Sequence, residues 1–186
     1  MVGTIVILVI VVVVAVLFVG TYNRLVGLRQ RANQAFADID VQLQQRHDLI
    51  PNLVETVKGY ATHESSTLEA VTQARAAATT ATSVEGKVQA ENVLTGALRQ
   101  MFAVAESYPD LKANANFLKL QDELADVENK LSAARRFFNS AVAEFNAAIQ
   151  QFPAVLVAGA AGFKEREFFD VGADRANVAA APQVKF

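Results

Sequence analysis

Each of the two histidines in this chain is followed directly by a carboxylate, as His47-Asp48 and His63-Glu64, and these four side chains are the ones whose types could ligate a metal or pass a proton. A histidine followed by glutamate opens the HExxH pattern of zinc proteases. Here Ser65, Ser66 and Thr67 come next, and no second histidine stands four residues on. The two histidines are sixteen residues apart, roughly 24 Å along a straight helix. One chain cannot bring them to one ion, so no metal and no cofactor is expected, and the four residues read as helix-surface positions.

Arg46 is the more informative residue, because it stands between Leu43 and Ile50 in the register of an apolar stripe. A guanidinium facing a core must be paired, since an uncompensated buried charge is costly. Asp40, Asp48 or Glu128 could supply the countercharge. So could the carbonyl of His47, which loses its intrahelical donor because Pro51 lacks an N–H. Arg46, Asp48 and Pro51 are therefore expected to form a structural polar lock beside a helix kink; the alternative is that Arg46 faces a binding groove. Asn139 and Asn146 lie seven residues apart, each after a phenylalanine and with Arg135 and Arg136 nearby. They could fix the register between helices or form a solvated face, and Arg135, Asn139 and Asn146 are the candidate interaction face. No nucleophile with a base, no paired catalytic carboxylates and no phosphate-cradling glycine loop accompanies them. No catalytic residue is expected, and the chain is read as not an enzyme.

The elements that must position these residues are helices. Alanine, Leu, Gln, Glu and Arg are abundant, while glycine and proline are sparse. From Leu25 through Leu28, Ala32, Phe36, Ile39, Leu43, Ile50, Leu53, Val57 and Tyr60 the apolar residues recur every three or four, which predicts one helix over about 22–79 with a kink near 48–51 at Pro51. The hydroxyl-rich run Thr79 to Gly86 reads as the first turn. A second helix is predicted over 87–106, on the stripe Val88, Leu94, Leu98, Met101, Phe102 and Ala105. Pro109 and Asp110 mark the next turn. In a third helix over 111–152, Phe117, Leu124, Leu131, Phe138, Phe145 and Phe152 recur every seven residues, with Leu120, Val127, Ala134, Ala141 and Ala148 between them. Large side chains on one row and mostly small ones on the other suit close antiparallel packing. Pro153 ends that helix. A short uncharged helix over 154–161 then either closes the open end of the bundle or lies at a membrane interface. Residues 164–186 read as a tail, partly disordered.

At the other end, Val2 to Val19 contains one polar side chain, Thr4, and no charge. Eighteen residues make a helix of roughly 27 Å, close to the thickness of a hydrocarbon core. A cleaved signal peptide would need a basic leading segment and a small-residue cleavage site, and neither Met1 nor Val19-Gly20-Thr21 supplies them. Residues 1–21 are therefore read as a transmembrane anchor and 22–163 as the helical domain. Arg24, Arg29 and Arg31 follow the span, which predicts a short N-terminus outside and a cytoplasmic C-terminal domain. A formal charge of −2 and a pI near 5.7 argue against a nucleic-acid surface. The absence of cysteine removes any disulfide argument.

Several stretches are similar to the LemA family: Tyr22-Asn23-Arg24-Leu25-Val26, Ile39-Asp40-Val41-Gln42-Leu43, Arg46 to Val54, Val57 to Ala61 with His63-Glu64, Tyr108 to Ala113, Arg135 to Asn146, and Gly162-Phe163 followed by Phe168-Phe169. The resemblance covers nearly all of Tyr22 to Phe169, in order. It implies a single-span bacterial membrane protein with a long-helix bundle and no established enzyme activity; the membrane expected is the inner one. Phe138-Asn139 and Phe145-Asn146 stand where the family pattern leads one to expect Tyr-Asn, which favours packing over a hydroxyl role.

The fold class read from all this is all-α, an N-terminal transmembrane helix continuous with a long-helix antiparallel bundle. The expected partners are membrane lipid, further copies of the chain and a membrane protein, with no nucleic acid. The expected function is a non-enzymatic membrane-anchored scaffold that self-associates laterally through its bundle, with alanine-rich surfaces such as Ala74 to Ala78 open to other helices. The alternative is an adaptor that presents partners to a membrane protease or envelope machinery.

Overall fold

A computed structural model describes residues 1–169, and among these the chain forms six helices and no strand: α1 (Val2–Lys58), α2 (Ser65–Thr80), α3 (Val84–Ala105), α4 (Pro109–Lys112), α5 (Ala115–Gln150) and α6 (Ala154–Ala161). The expected tail thus lies outside the described residues from position 170 onward. Two compact units are present, each drawing on α1 and α5: Met1–Asp40 with Ser132–Phe168, and Val41–Leu131 with Phe169.

In the first unit every residue from Met1 to Gly20 is exposed. An uncharged apolar helix with no protein around it belongs in an apolar solvent, so this stretch has the length and composition of a membrane span. Beyond it α1 and α5 run antiparallel. Leu25 packs with Phe145, Ala148 and Ile149; Arg31 reaches Glu144; Phe36 meets Phe138 with ring centroids 5.5 Å apart. As the numbers rise along α1 they fall along α5.

The second unit is an up-and-down bundle of four helical segments. The end of α1 turns back into α2, whose Leu68, Val71, Ala74 and Ala78 share one core with Ile50, Leu53 and Val57. Along the next helix, α3, Leu94, Ala97, Leu98, Met101 and Ala105 complete that core, with Phe117 and Leu124 from α5. Caps set the boundaries. Ser83 Oγ accepts from Gly86 N at 3.0 Å to start α3. Asn114 Oδ1 accepts from Asn116 N at 2.9 Å and Phe117 N at 3.0 Å to start α5.

Three expected boundaries are corrected. The third long helix does not run from 111: α4 ends at Lys112 and α5 begins at Ala115, where Asn114 caps it. The first helix does not reach Thr79: it stops at Lys58, before Gly59, and α2 begins at Ser65. Gly59 lowers the cost of leaving the helix, and reversing there returns the apolar row of α2 onto α1. The third long helix ends at Gln150, so Phe152, placed by its heptad spacing in the buried row, is instead 81% exposed. The other five large members, from Phe117 to Phe145, are buried. Pro51 lies inside α1, whose helical backbone continues past it to Lys58.

Candidate functional site

The buried polar residues of the second unit gather around one carboxylate. Glu91 on α3 is 1% exposed, and both of its oxygens are engaged. Oε2 accepts from Arg46 Nη1 at 2.6 Å, and Oε1 lies 2.6 Å from His47 Nε2. An ionised carboxylate only accepts, so the hydrogen of this contact is assigned to Nε2 of His47. Arg46, itself 1% exposed, is surrounded: Nη2 donates to Thr95 Oγ1 at 2.8 Å, and Nε is 2.7 Å from Glu128 Oε1 on α5. The planar guanidinium thus meets two carboxylates and a hydroxyl on two facing helices, an arrangement a single lysine charge could not reproduce.

Pro51 has a part in the same network through the backbone. Lacking an N–H, it leaves the carbonyl of His47 without its intrahelical donor, and Arg75 Nε on α2 donates to that carbonyl at 2.6 Å. The proline that disturbs α1 is thereby tied to the helix folded back against it.

Of the countercharges expected for Arg46, Glu128 is in place. Asp48 is not: it is exposed and receives Gln44 Nε2 at 2.8 Å instead. Two residues after Arg46, it is rotated roughly 200° around α1, in a groove with Glu123, Asp126 and Lys130. The freed carbonyl is taken by Arg75 and not by Arg46. His47, read as a surface residue, is buried, while His63 is exposed between helices. Among the described residues no three His, Asp or Glu side chains are grouped to hold a metal. Glu91 escaped the sequence reading although the signal was there. It stands three residues after Val88 and three before Leu94, in the same relation to its stripe that singled out Arg46.

In the first unit Asn146 binds a backbone with both ends of its amide. Its Nδ2 donates to the carbonyl of Arg166 and its Oδ1 accepts from the Arg166 N–H, both at 2.9 Å. Residues 163–168 are clasped to α5 in this way. The Arg166 side chain donates to Asn33 Oδ1 on α1, and partial burial, followed by the neighbouring Arg29, lowers its pKa below the usual guanidinium value. Arg135 and Asn139 are half-buried and each is engaged with a neighbour. Phe138 and Phe145 are each 1% exposed, as packing residues should be.

A chain with these features is a membrane-associated helical protein: among the described residues the first helix opens with an apolar run of span length, five further helices follow, and paired charges are buried in the second unit. Residues 35–186 match the model of the LemA family, and the chain belongs to that family. It is 28% identical to Protein LemA of Metamycoplasma hominis over 127 residues, 66% of this chain and 56% of that protein. It is 26% identical to Magnetosome protein MamQ of Magnetospirillum gryphiswaldense over 174 residues, 80% of this chain and 64% of that protein. The chain thus spans less than two thirds of the length of either relative.

Proposed function

We propose that this chain is a non-enzymatic scaffold anchored in the inner membrane of a bacterium, whose copies associate side by side through their helices. The observation that carries this reading is the closed polar network. Glu91, Arg46, His47, Thr95 and the carbonyl freed by Pro51 are committed to one another and to Arg75 and Glu128. A buried charged set with its partners already in place holds helices in register. Arg24, Arg29 and Arg31 beyond the apolar run favour a short N-terminus outside and the remainder in the cytoplasm.

Faces remain for neighbours, though fewer than the alanine run suggests. Ala74 and Ala78 belong to the bundle's own core, whereas Ala76 and Ala77 on α2 are exposed. Val41, Val93 and Leu118 are exposed too, and small or apolar residues on helix surfaces let further helices approach.

The test is the mass of the protein extracted with its native lipid, without overexpression, and the identity of what accompanies it. One large species built of this chain alone is expected. A small complex with a second protein would make the adaptor reading the right one, and a monomer would overturn both.

A further inference from the structure

Within the first unit, the stretch Phe152 to Phe163 contains no side chain able to carry charge or donate a hydrogen bond, yet only part of it is buried. Val157 and Ala158 of α6 pack with Leu25, Phe145, Ala148 and Ile149. On the other side Phe152 is 81% exposed, Leu156 66% and Val155 43%. A helix apolar all round is normally enclosed by protein or lipid, and a contiguous exposed apolar face marks a contact surface.

Its position says what the contact is. Because α5 runs antiparallel to α1, with Phe138 opposite Phe36 and Phe145 and Ile149 against Leu25, α5 ends beside the residues that follow the apolar run. The axis of α6 is then turned by 99° from that of α5, so it lies across α1 and not along it. Phe163, just past the end of α6, stacks edge-on against Tyr22 with centroids 5.8 Å apart and lies under the Arg29 guanidinium at 5.0 Å. An aromatic pair with an arginine over it, at the end of a span, is the composition of a membrane–water boundary. The exposed face of α6 thus sits on a helix packed against Leu25, a few residues past the end of the apolar run.

We propose that α6 is a second membrane contact: an interfacial helix whose Phe152, Val155 and Leu156 enter the boundary between headgroups and acyl chains while Val157 and Ala158 stay packed on the protein. The partner is lipid, and the inference rests on α1 being a span. Gly162 at φ 71° ends α6, after which Lys164 is exposed, where an ammonium meets headgroups. Glu165 is turned back to Gln150 Nε2 at 2.8 Å.

The chain has no cysteine, so single substitutions Leu156→Cys and Val155→Cys can each carry an environment-sensitive dye in the full chain. Both sites are exposed, and either reports if the other fails to fold. Two controls are Val13→Cys in the apolar run and Ser140→Cys, an exposed position on α5 about 15 Å of helix from Gln150. The proteins are placed, about one copy per vesicle, in phosphatidylcholine with phosphatidylglycerol. Quenching is by spin-labelled lipid, with the label either near the headgroup or deep, and by soluble iodide. Dyes at 155 and 156 should lose severalfold in emission to the shallow lipid label and little to iodide, with Ser140→Cys the reverse and Val13→Cys quenched from the deep position. If Val13→Cys is quenched by lipid but 155 and 156 respond to iodide, or are shielded from both quenchers as a protein partner would shield them, the proposal is overturned and the anchor stands. If Val13→Cys itself escapes the lipid label, the anchor reading fails and the proposal fails with it.

Discussion

Glu91→Gln keeps the shape of the central side chain and removes its charge. In the native chain Glu91 holds Arg46 and His47 at 2.6 Å each, shut off from solvent at 1% exposure. Two hydrogen bonds to a charged group, at roughly 1.5–3 kcal/mol each, amount to about 3–6 kcal/mol, of which an amide regains about 1 kcal/mol through one neutral bond. Glu128, 2.7 Å from Arg46 Nε, retains part of the countercharge. The expected loss therefore lies at the low end, about 3 kcal/mol, in line with removing one partner of a buried pair. For a chain of 186 residues that lowers the melting temperature by roughly 6–12 °C. Arg46→Met alone should cost as much, because it leaves the Glu91 carboxylate buried with only His47. In the double variant no buried charge is unpaired, since the substituted amide can still accept from His47 and Glu128 is open to solvent. It should lie within about 1–2 kcal/mol of native, far from the sum of the single changes. The assay is thermal melting of the full chain in lipid nanodiscs, followed by far-ultraviolet circular dichroism. A Glu91→Gln melting point within roughly 2 °C of native, or a double variant as unstable as the two singles added, would refute the lock.

Other perturbations sort the remaining residues. Asp48→Ala removes only an exposed contact with Gln44 and should change stability by less than about 0.5 kcal/mol in the same melt; a loss comparable to that of Glu91→Gln would return Asp48 to the lock. Asn146→Ala deletes both bonds to the Arg166 backbone and should cost about 1–3 kcal/mol, seen as faster amide exchange confined to residues 164–168 while the core of the second unit keeps its protection. Gly162→Ala places a Cβ at φ 71° and should cost about 1–2 kcal/mol, although nothing crowds the site. Arg31→Gln breaks a half-exposed pair with Glu144 and should move the melting point very little, since such pairs contribute about 0–1 kcal/mol.

What could be read from the residues was what depends on neighbours in the chain. The stripes of α1 and α3 and the heptad rows of α5 follow from periodicity over a few turns, and the run Val2 to Val19 and the α6 segment from unbroken lack of charge; both signals are local. The oddity of Arg46 was visible for the same reason, as a charge in an apolar register. Glu91 has that oddity too, and the two together would have named the pair.

The tertiary structure alone decided which groups meet. Glu91 lies 45 residues from Arg46 and Arg75 lies 28 from His47, and no local pattern ranks such partners. They are selected by where the chain reverses, and the reversal between Lys58 and Ser65 brings the apolar row of α2 onto α1. Phe152 shows the same limit. Its spacing continues the buried row of α5, but burial needs a facing helix, and past Gln150 the chain turns away and leaves the ring exposed. The sequence determined that the chain would be helical, where its apolar faces lie and that one charge needed a partner; the fold determined the partner, the turn and the exposed face, because those depend on distances across space and not along the chain.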